Sequence, residues 1–273
     1  MTRATWLFAA SIFVAAPPAA AQLRPLEPIP WRVLRQGTTV AAELGASRLY
    51  EQRASLAGTS GTLTELGNFS LAWRTGRVAL EAAGTGQRLL EEKSRFADPY
   101  PGVQSARDKR RNDSGDYRLS TSIRITPDTY PVTGVFRFGT RLPTTDNTTG
   151  LDRDAIDFFA TVGASGIRGI LNISGEAGLG VYGTRETRFE QDDLFLYALR
   201  AELHLGQAFT PEAMVIGQQH GYAHSAIRGV ENLSEIRVGL RYGDNKWIRA
   251  EAVKGMTIFS PSGGILITAG FVR

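Results

Sequence analysis

Asn68-Phe69-Ser70-Leu71-Ala72-Trp73-Arg74 is the stretch on which the fold turns. In an extended chain, successive side chains point to opposite sides. Phe69, Leu71 and Trp73 therefore share one face, and Asn68, Ser70 and Arg74 share the other. Tyr117-Arg118-Leu119-Ser120-Thr121-Ser122-Ile123-Arg124-Ile125 repeats the pattern, with Arg118, Ser120, Ser122 and Arg124 on the polar side, and Glu235 to Tyr242 repeats it again. Strict alternation of this kind marks a strand with one apolar and one polar face. Twelve segments read this way, near 38–50, 62–75, 77–88, 116–126, 132–142, 155–165, 169–183, 193–205, 211–218, 232–242, 246–254 and 264–272.

The connections sort by parity. After every second segment the link is short, as in Thr75-Gly76, Gly166-Ile167-Arg168-Gly169 and Gly243-Asp244-Asn245-Lys246. The others read as long and polar, and the longest, from about Leu89 to Gly115, carries Arg107-Asp108-Lys109-Arg110-Arg111. A β-sandwich has no reason to sort its loops so, whereas an outer-membrane barrel has short turns on one side, long loops on the other and an even strand number. About ten residues at about 3.3 Å each, tilted by about 40°, cover the roughly 25 Å of a bilayer core. Lipid cannot satisfy unpaired backbone groups, so such strands must close on themselves. The expectation is an all-β chain: one antiparallel transmembrane barrel of about twelve strands over 37–273, placed in the bacterial outer membrane. Its partners would be the lipid and the machinery that assembles such barrels, which reads an aromatic near the C-terminus; Phe271 stands two residues from the end.

Composition agrees. The chain has 273 residues, 42% hydrophobic and 21% charged, with 30 Gly, mean hydropathy −0.16 and no Cys. No stretch approaches the roughly 20 apolar residues of a spanning helix. Without Cys there is no disulfide, thiolate zinc site or thiol nucleophile. The net charge of +4 is spread along the chain rather than gathered in a patch, so no nucleic-acid partner is implied. At the start, Arg3 precedes an apolar run from Trp6 to Ala16 and a small-residue Ala19-Ala20-Ala21 site, the order of a signal peptide over 1–21. Pro17-Pro18 breaks any helix there. The absence of Cys at the cleavage point excludes a lipid-anchored form. Residues 22–36, with Pro25, Pro28 and Pro30, read as an extended lead-in.

The polar faces carry Arg74, Arg118, Arg124, Arg137, Arg141, Arg200, Arg237, Arg241 and Arg249, with the acids Glu81, Asp157, Glu176, Glu202, Glu235 and Glu251. An Arg on the lipid face near the midplane costs about 2–4 kcal/mol, so this sorting points them into a lumen. Two roles stay open: a ladder of ion pairs filling a narrow barrel, or a pore lining in which the excess of Arg favours anions.

Other chemistry is sparse. His204 follows Glu202 on a polar face. His220, His224 and Ser225 invite comparison with outer-membrane acyl hydrolases, but adjacent residues of a strand point apart, and no carboxylate completes a metal set with His220 and His224. Asp146 to Asp154 is oxygen-rich yet lacks the order of a calcium loop and reads as a solvated outer loop. Trp73, Tyr197, Tyr242 and Trp247 suit interfacial aromatic girdles. No cofactor or metal is implied.

Gly139-Thr140-Arg141-Leu142-Pro143-Thr144-Thr145-Asp146, followed by Gly150-Leu151-Asp152 and Asp157-Phe158, with Gly115-Asp116-Tyr117 ahead of the same hairpin, resembles the outer-membrane proteins described as the MetA pathway of phenol degradation. The matching positions cover about 115 to 180. The resemblance implies a porin-like barrel passing small molecules, often aromatic or hydrophobic. The readings from the sequence are thus a non-enzymatic channel or transporter for small, aromatic or anionic solutes; an outer-membrane acyl hydrolase; or a structural barrel with a closed lumen.

Overall fold

A computed structural model describes residues 23–34, 39–143, 147–153, 155–184, 191–206, 208–220 and 227–273. The expected signal peptide over 1–21 lies outside them. The strands are β1 (Val40–Ala54), β2 (Thr59–Thr75), β3 (Val78–Arg95), β4 (Arg110–Asp113), β5 (Tyr117–Arg124), β6 (Val132–Leu142), β7 (Asp157–Arg168), β8 (Leu171–Gly183), β9 (Gln191–Leu203), β10 (Phe209–His220), β11 (Leu233–Tyr242), β12 (Lys246–Gly255) and β13 (Gly263–Val272). Each pairs antiparallel with its neighbour in sequence, except that β3 passes over the short β4 to pair with β5. β13 returns to β1, from Ala41 opposite Val272 to Tyr50 opposite Gly263. All strands but β4 thus form a closed antiparallel barrel of twelve strands. Closure leaves no exposed edge.

The faces divide as the alternation requires. Leu44, Leu71, Trp73, Leu119, Phe158, Leu199, Val238 and Ile267 point outward and are exposed, while charged and small residues alternate with them toward the interior. Short turns gather at one end. Two of them, at 76–77 and 169–170, begin with Gly76 (φ 58°) and Gly169 (φ 63°), left-handed positions that glycine occupies without a Cβ clash.

The loop end departs from strict parity. β1 and β2 are joined by residues 55–58 alone, because β1, β2 and β3 run well past the length a bilayer needs. The eighteen residues of β3 cover about 45 Å along the barrel axis at the usual rise and tilt. What the sequence presents as a long loop from Leu89 is therefore partly strand: β3 continues to Arg95, and β4 pairs with its last turns, from Arg88 opposite Asp113 to Glu91 opposite Arg110. A tight turn with Asp108 and Lys109 at positive φ caps this ribbon, and both are exposed.

One irregularity sets the interior. Gly45 of β1 pairs with Asn68 and Ala46 with Leu66, so Gly67 is an extra residue in β2, and it faces Gly86 of β3. Gly67 has φ 68°. A bulge shifts the alternation by one residue. Below it Phe69, Leu71 and Trp73 point out; above it Glu65 and Leu63, of the same parity, point in and are buried.

The interior holds residues 23–34. Leu23 packs with Leu49, Leu63, Leu90 and Leu151 at the loop end. Trp31, Val33 and Leu34 pack with Ala41, Ala72, Ala79 and Val135 at the turn end. The segment therefore runs down the axis. Pro25, Pro28 and Pro30 have no N–H to satisfy, which suits a strand-free path through a barrel whose ladders are already closed. The amide of Ile29 donates to Glu176 Oε2 at 2.9 Å, and a turn follows in which Val33 N donates to Pro30 O at 2.9 Å.

Candidate functional site

The lumen is where charged side chains converge. From β6, Arg137 is fully buried; it donates to Glu176 Oε1 of β8 at 2.7 Å and to the carbonyl of Glu27 at 3.1 Å. Arg141 meets Asp157 of β7 at 2.8 Å and Asp116 at 3.4 Å, its guanidinium over the Tyr182 ring. Arg118 meets Glu81 of β3 at 2.8 Å, and Ser70 and Ser120 donate to the same carboxylate. Arg237 of β11 holds Glu27 through both Nη atoms, at 3.0 and 2.7 Å, and donates its Nε to Glu235 at 3.0 Å. Arg249 of β12 lies 3.2 Å from Glu251 and 3.6 Å from Glu43. Arg241 is 3.9 Å from Glu202, which also accepts from Asn172. Arg124 turns to Asp128 at the turn end, 2.7 Å away. Arg74, near the same end, and Arg200 are half-buried.

The alternation pattern did not reveal several of the carboxylates and cations here. Glu65 and Arg88 come inward only through the Gly67–Gly86 irregularity, and they meet at 3.2 Å. Arg24 and Glu27 belong to the axial segment; Arg24 bridges Glu65 at 3.2 Å and Glu235 at 3.3 Å. Glu43, Asp116, Asp152 and Glu212 add further acids. The arginine excess that suggested anion preference disappears once these acids are included. The interior is also less uniformly polar than its strands imply: Phe159, Tyr182, Leu194, Leu196 and Val230 cluster with Leu26, and Ala198 with Met214 and Ile216. β9 and β10 are apolar on both faces there, so alternation located the two strands without marking this part of their inner face as polar.

A cavity of about 230 Å³ remains beside the axial segment, lined among others by Glu43, Glu81, Arg118, Arg200, Glu212, Trp247 and Arg249. Trp247 points inward, 4% exposed, between Arg32 and Arg249, and so does not belong to an outer girdle. Trp73 and Tyr242 do face outward. Tyr197 is half-buried and shares a hydrogen bond with Ser234 Oγ at 2.8 Å.

The loop end is covered from within. Residues 147–153 fold back into the mouth rather than standing in solvent: Leu151, Asp152 and Arg153 are fully buried. Asp152 meets Arg88 at 3.3 Å, and Arg153 pairs with Asp157. The ends of the stretch read for oxygen ligands, Asp146 and Asp154, lie outside the described residues. Residues 227–231 fold in beside it, with Gly229 N donating to Glu231 Oε1 at 2.7 Å and Ser55 Oγ at 3.0 Å. Burial pushes the Glu231 carboxyl above its usual range, against the hydrogen bonds from Ser55 and Gly229. His220 pairs with Asp192 and contacts the Val230 carbonyl, and His204 approaches Thr210 Oγ1 at 3.5 Å. His224 and Ser225, on which a hydrolase reading depends, lie outside the described residues.

No family profile matches the sequence, and no curated protein matches it. The resemblance over 115 to 180 thus assigns no family. Among solved structures the chain is similar to the CymD monoaromatic hydrocarbon channel, at 10% identity and TM-score 0.45 over 86% of this chain and 88% of that one. It is similar to the NanC porin, at 12% identity and TM-score 0.46 over 86% and 98%. It is also similar to LpxR from Salmonella typhimurium, a hydrolase, at 9% identity and TM-score 0.43 over 85% and 99%.

Proposed function

We propose that this protein is an outer-membrane channel for small polar molecules, exported by its N-terminal 21 residues and closed at rest by its own residues 23–34. The observation that carries this reading is the inversion of its two faces. Leu71, Phe158, Leu199 and Val238 are exposed around the outside, while Arg137, Arg237, Glu176 and Glu235 are buried inside. Water rewards the opposite arrangement, and a bilayer rewards this one. The acids and arginines of the lumen pair with one another, which favours neutral or dipolar solutes over anions. A wall of hydrogen-bonded charges is also a poor path for a hydrocarbon, because such a solute cannot replace the hydration it would displace.

The axial segment is held by a few ion pairs and three apolar clusters rather than by a ladder, so it is the part of the lumen that can leave. Planar-bilayer recording of the full chain against a variant lacking residues 23–34 tests this. The expected result is rare or small openings in the full chain and steady, larger conductance in the deletion. A folded deletion variant with no conductance would sink the channel reading and favour a closed structural barrel.

A further inference from the structure

On the wall formed by β9 and β10, Glu202 stands directly opposite Glu212, and Arg200 stands opposite Met214. Arg200 and Glu212 are therefore diagonal neighbours on adjacent strands, both lining the same cavity. They do not close on each other. Glu212 is 6% exposed, and neither carboxylate oxygen accepts a hydrogen bond among the described residues. Its closest cation is Arg249, whose Nε lies 3.7 Å away and nearer, at 3.2 Å, to Glu251. Arg200 is turned to the thioether of Met214 at 3.5 Å, a weak acceptor for a guanidinium. The position across from Glu212 on β11 is Gly239, over which the Glu251 side chain lies, so no β11 side chain separates the two carboxylates. The indole N–H of Trp247, also on this cavity, is buried without an acceptor.

At the same diagonal spacing on β3 and β5, Arg118 and Glu81 make contact at 2.8 Å. Here a buried anion lacks donors, an adjacent cation lacks a strong acceptor, and about 230 Å³ of space adjoins both. We propose that this place is a binding site for a small zwitterion, an α-amino acid, with its ammonium on Glu212 and its carboxylate on Arg200. A simple amine would leave Arg200 unanswered and a simple carboxylate would leave Glu212 unanswered, and a buried charge left unpaired is costly. A dipolar molecule answers both and adds no net charge to a lumen already paired. The indole N–H supplies a further donor for the ligand's carboxylate or a polar side chain. The proposal rests on the channel reading only for the route by which the ligand enters.

The test is calorimetric titration of the folded full chain in detergent with L-serine, and separately with propionate and with ethylammonium. Saturable L-serine binding is expected, with each half-ligand weaker by about tenfold or more. Glu212→Gln and Arg200→Gln should each weaken L-serine by a similar factor, and Arg200→Lys should recover part of the loss. Circular dichroism checks that each variant keeps its barrel. Absence of saturable L-serine binding, or binding that ignores both substitutions, overturns the proposal. So does ethylammonium binding as tightly as L-serine. A chain that conducts but does not bind L-serine rejects this site and leaves the channel standing, whereas binding without conductance does the reverse.

Discussion

Replacing Arg137 by Met removes a fully buried cation of the lumen while keeping its volume approximately constant. In the native barrel that guanidinium donates to Glu176 at 2.7 Å and to the Glu27 carbonyl at 3.1 Å, and it lies over the Phe159 ring at 5.3 Å. Without it, Glu176 keeps only the Ile29 amide as a donor and becomes a buried, uncompensated charge. Breaking a buried pair from one side costs about 3–5 kcal/mol, most of it the penalty on the partner left behind. Glu176→Gln alone should cost less, about 1–3 kcal/mol, because the amide oxygen still accepts from Ile29 and Arg137 keeps the Glu27 carbonyl. In the double variant neither charge remains, so the loss should be smaller than the sum of the two by about 2 kcal/mol or more. Urea unfolding of the barrel in lipid vesicles gives all three values, with the outward-facing Trp73 reporting departure from lipid. Strictly additive losses would show that the two groups do not form the coupled pair seen here. A neutral Arg137→Met would show that the interior is wet enough to solvate Glu176 and that the lumen is not packed around its axial segment.

Leu71→Arg should destabilise the barrel by about 2–4 kcal/mol in the same assay if Leu71 faces lipid near the midplane, whereas Ser70→Arg, beside Glu81, should be tolerated better; equal tolerance would overturn the assignment of faces. Trypsin added to intact cells should cut at Lys109 and Arg110, on the exposed tip of the β3–β4 ribbon, and spare Arg111, which is buried against Glu92; a Cys at Arg168, at the opposite end, should resist impermeant thiol reagents, and its labelling would invert the topology. The raised Glu231 carboxyl means that the folded mouth binds more protons than the unfolded chain, so stability there is present at low pH and falls as pH rises past the ordinary carboxylate range. Amide exchange at 227–231 should therefore quicken, beyond the intrinsic rate change, as pH rises above the ordinary carboxylate range, and Glu231→Gln should abolish the excess.

The barrel was legible because apolar outer and charged inner faces impose period two on nearly every strand, and because the longest connections fall at one end. The exceptions have separate physical causes. Strand length past the bilayer is set by neighbours: Glu91 on β3 finds Arg110 on β4, a pairing that local pattern does not announce. Parity was lost at Gly67, where one extra residue turns Glu65 inward; the signal was present as an unpaired acid on a nominally apolar face. β9 and β10 carry Leu or Met on the inner face where the axial segment and the mouth loops supply an apolar partner, so their periodicity weakened there and Glu212 went unremarked. The proline-rich stretch after the expected cleavage site was the least legible part. Its prolines say only that it is neither helix nor strand. Its place inside the lumen follows from Arg24, Glu27 and Ile29 meeting residues of β2, β8 and β11 that are far away in sequence. On the channel reading proposed above, those same contacts suit a third arrangement beside ladder and pore lining. The arginines pair with acids of the barrel and with acids of a segment that occupies the pore, so the charge that closes the lumen is also what must be broken to open it. Arg237 is the clearest case. Its Nη atoms reach the plug through Glu27, while its Nε and one Nη reach the wall through Glu235. Glu27→Gln should loosen the plug without unpairing the wall, and it should raise open probability in single-channel records while leaving the open conductance unchanged. A changed conductance with unchanged open probability would place Glu27 in the conduction path and not in the gate.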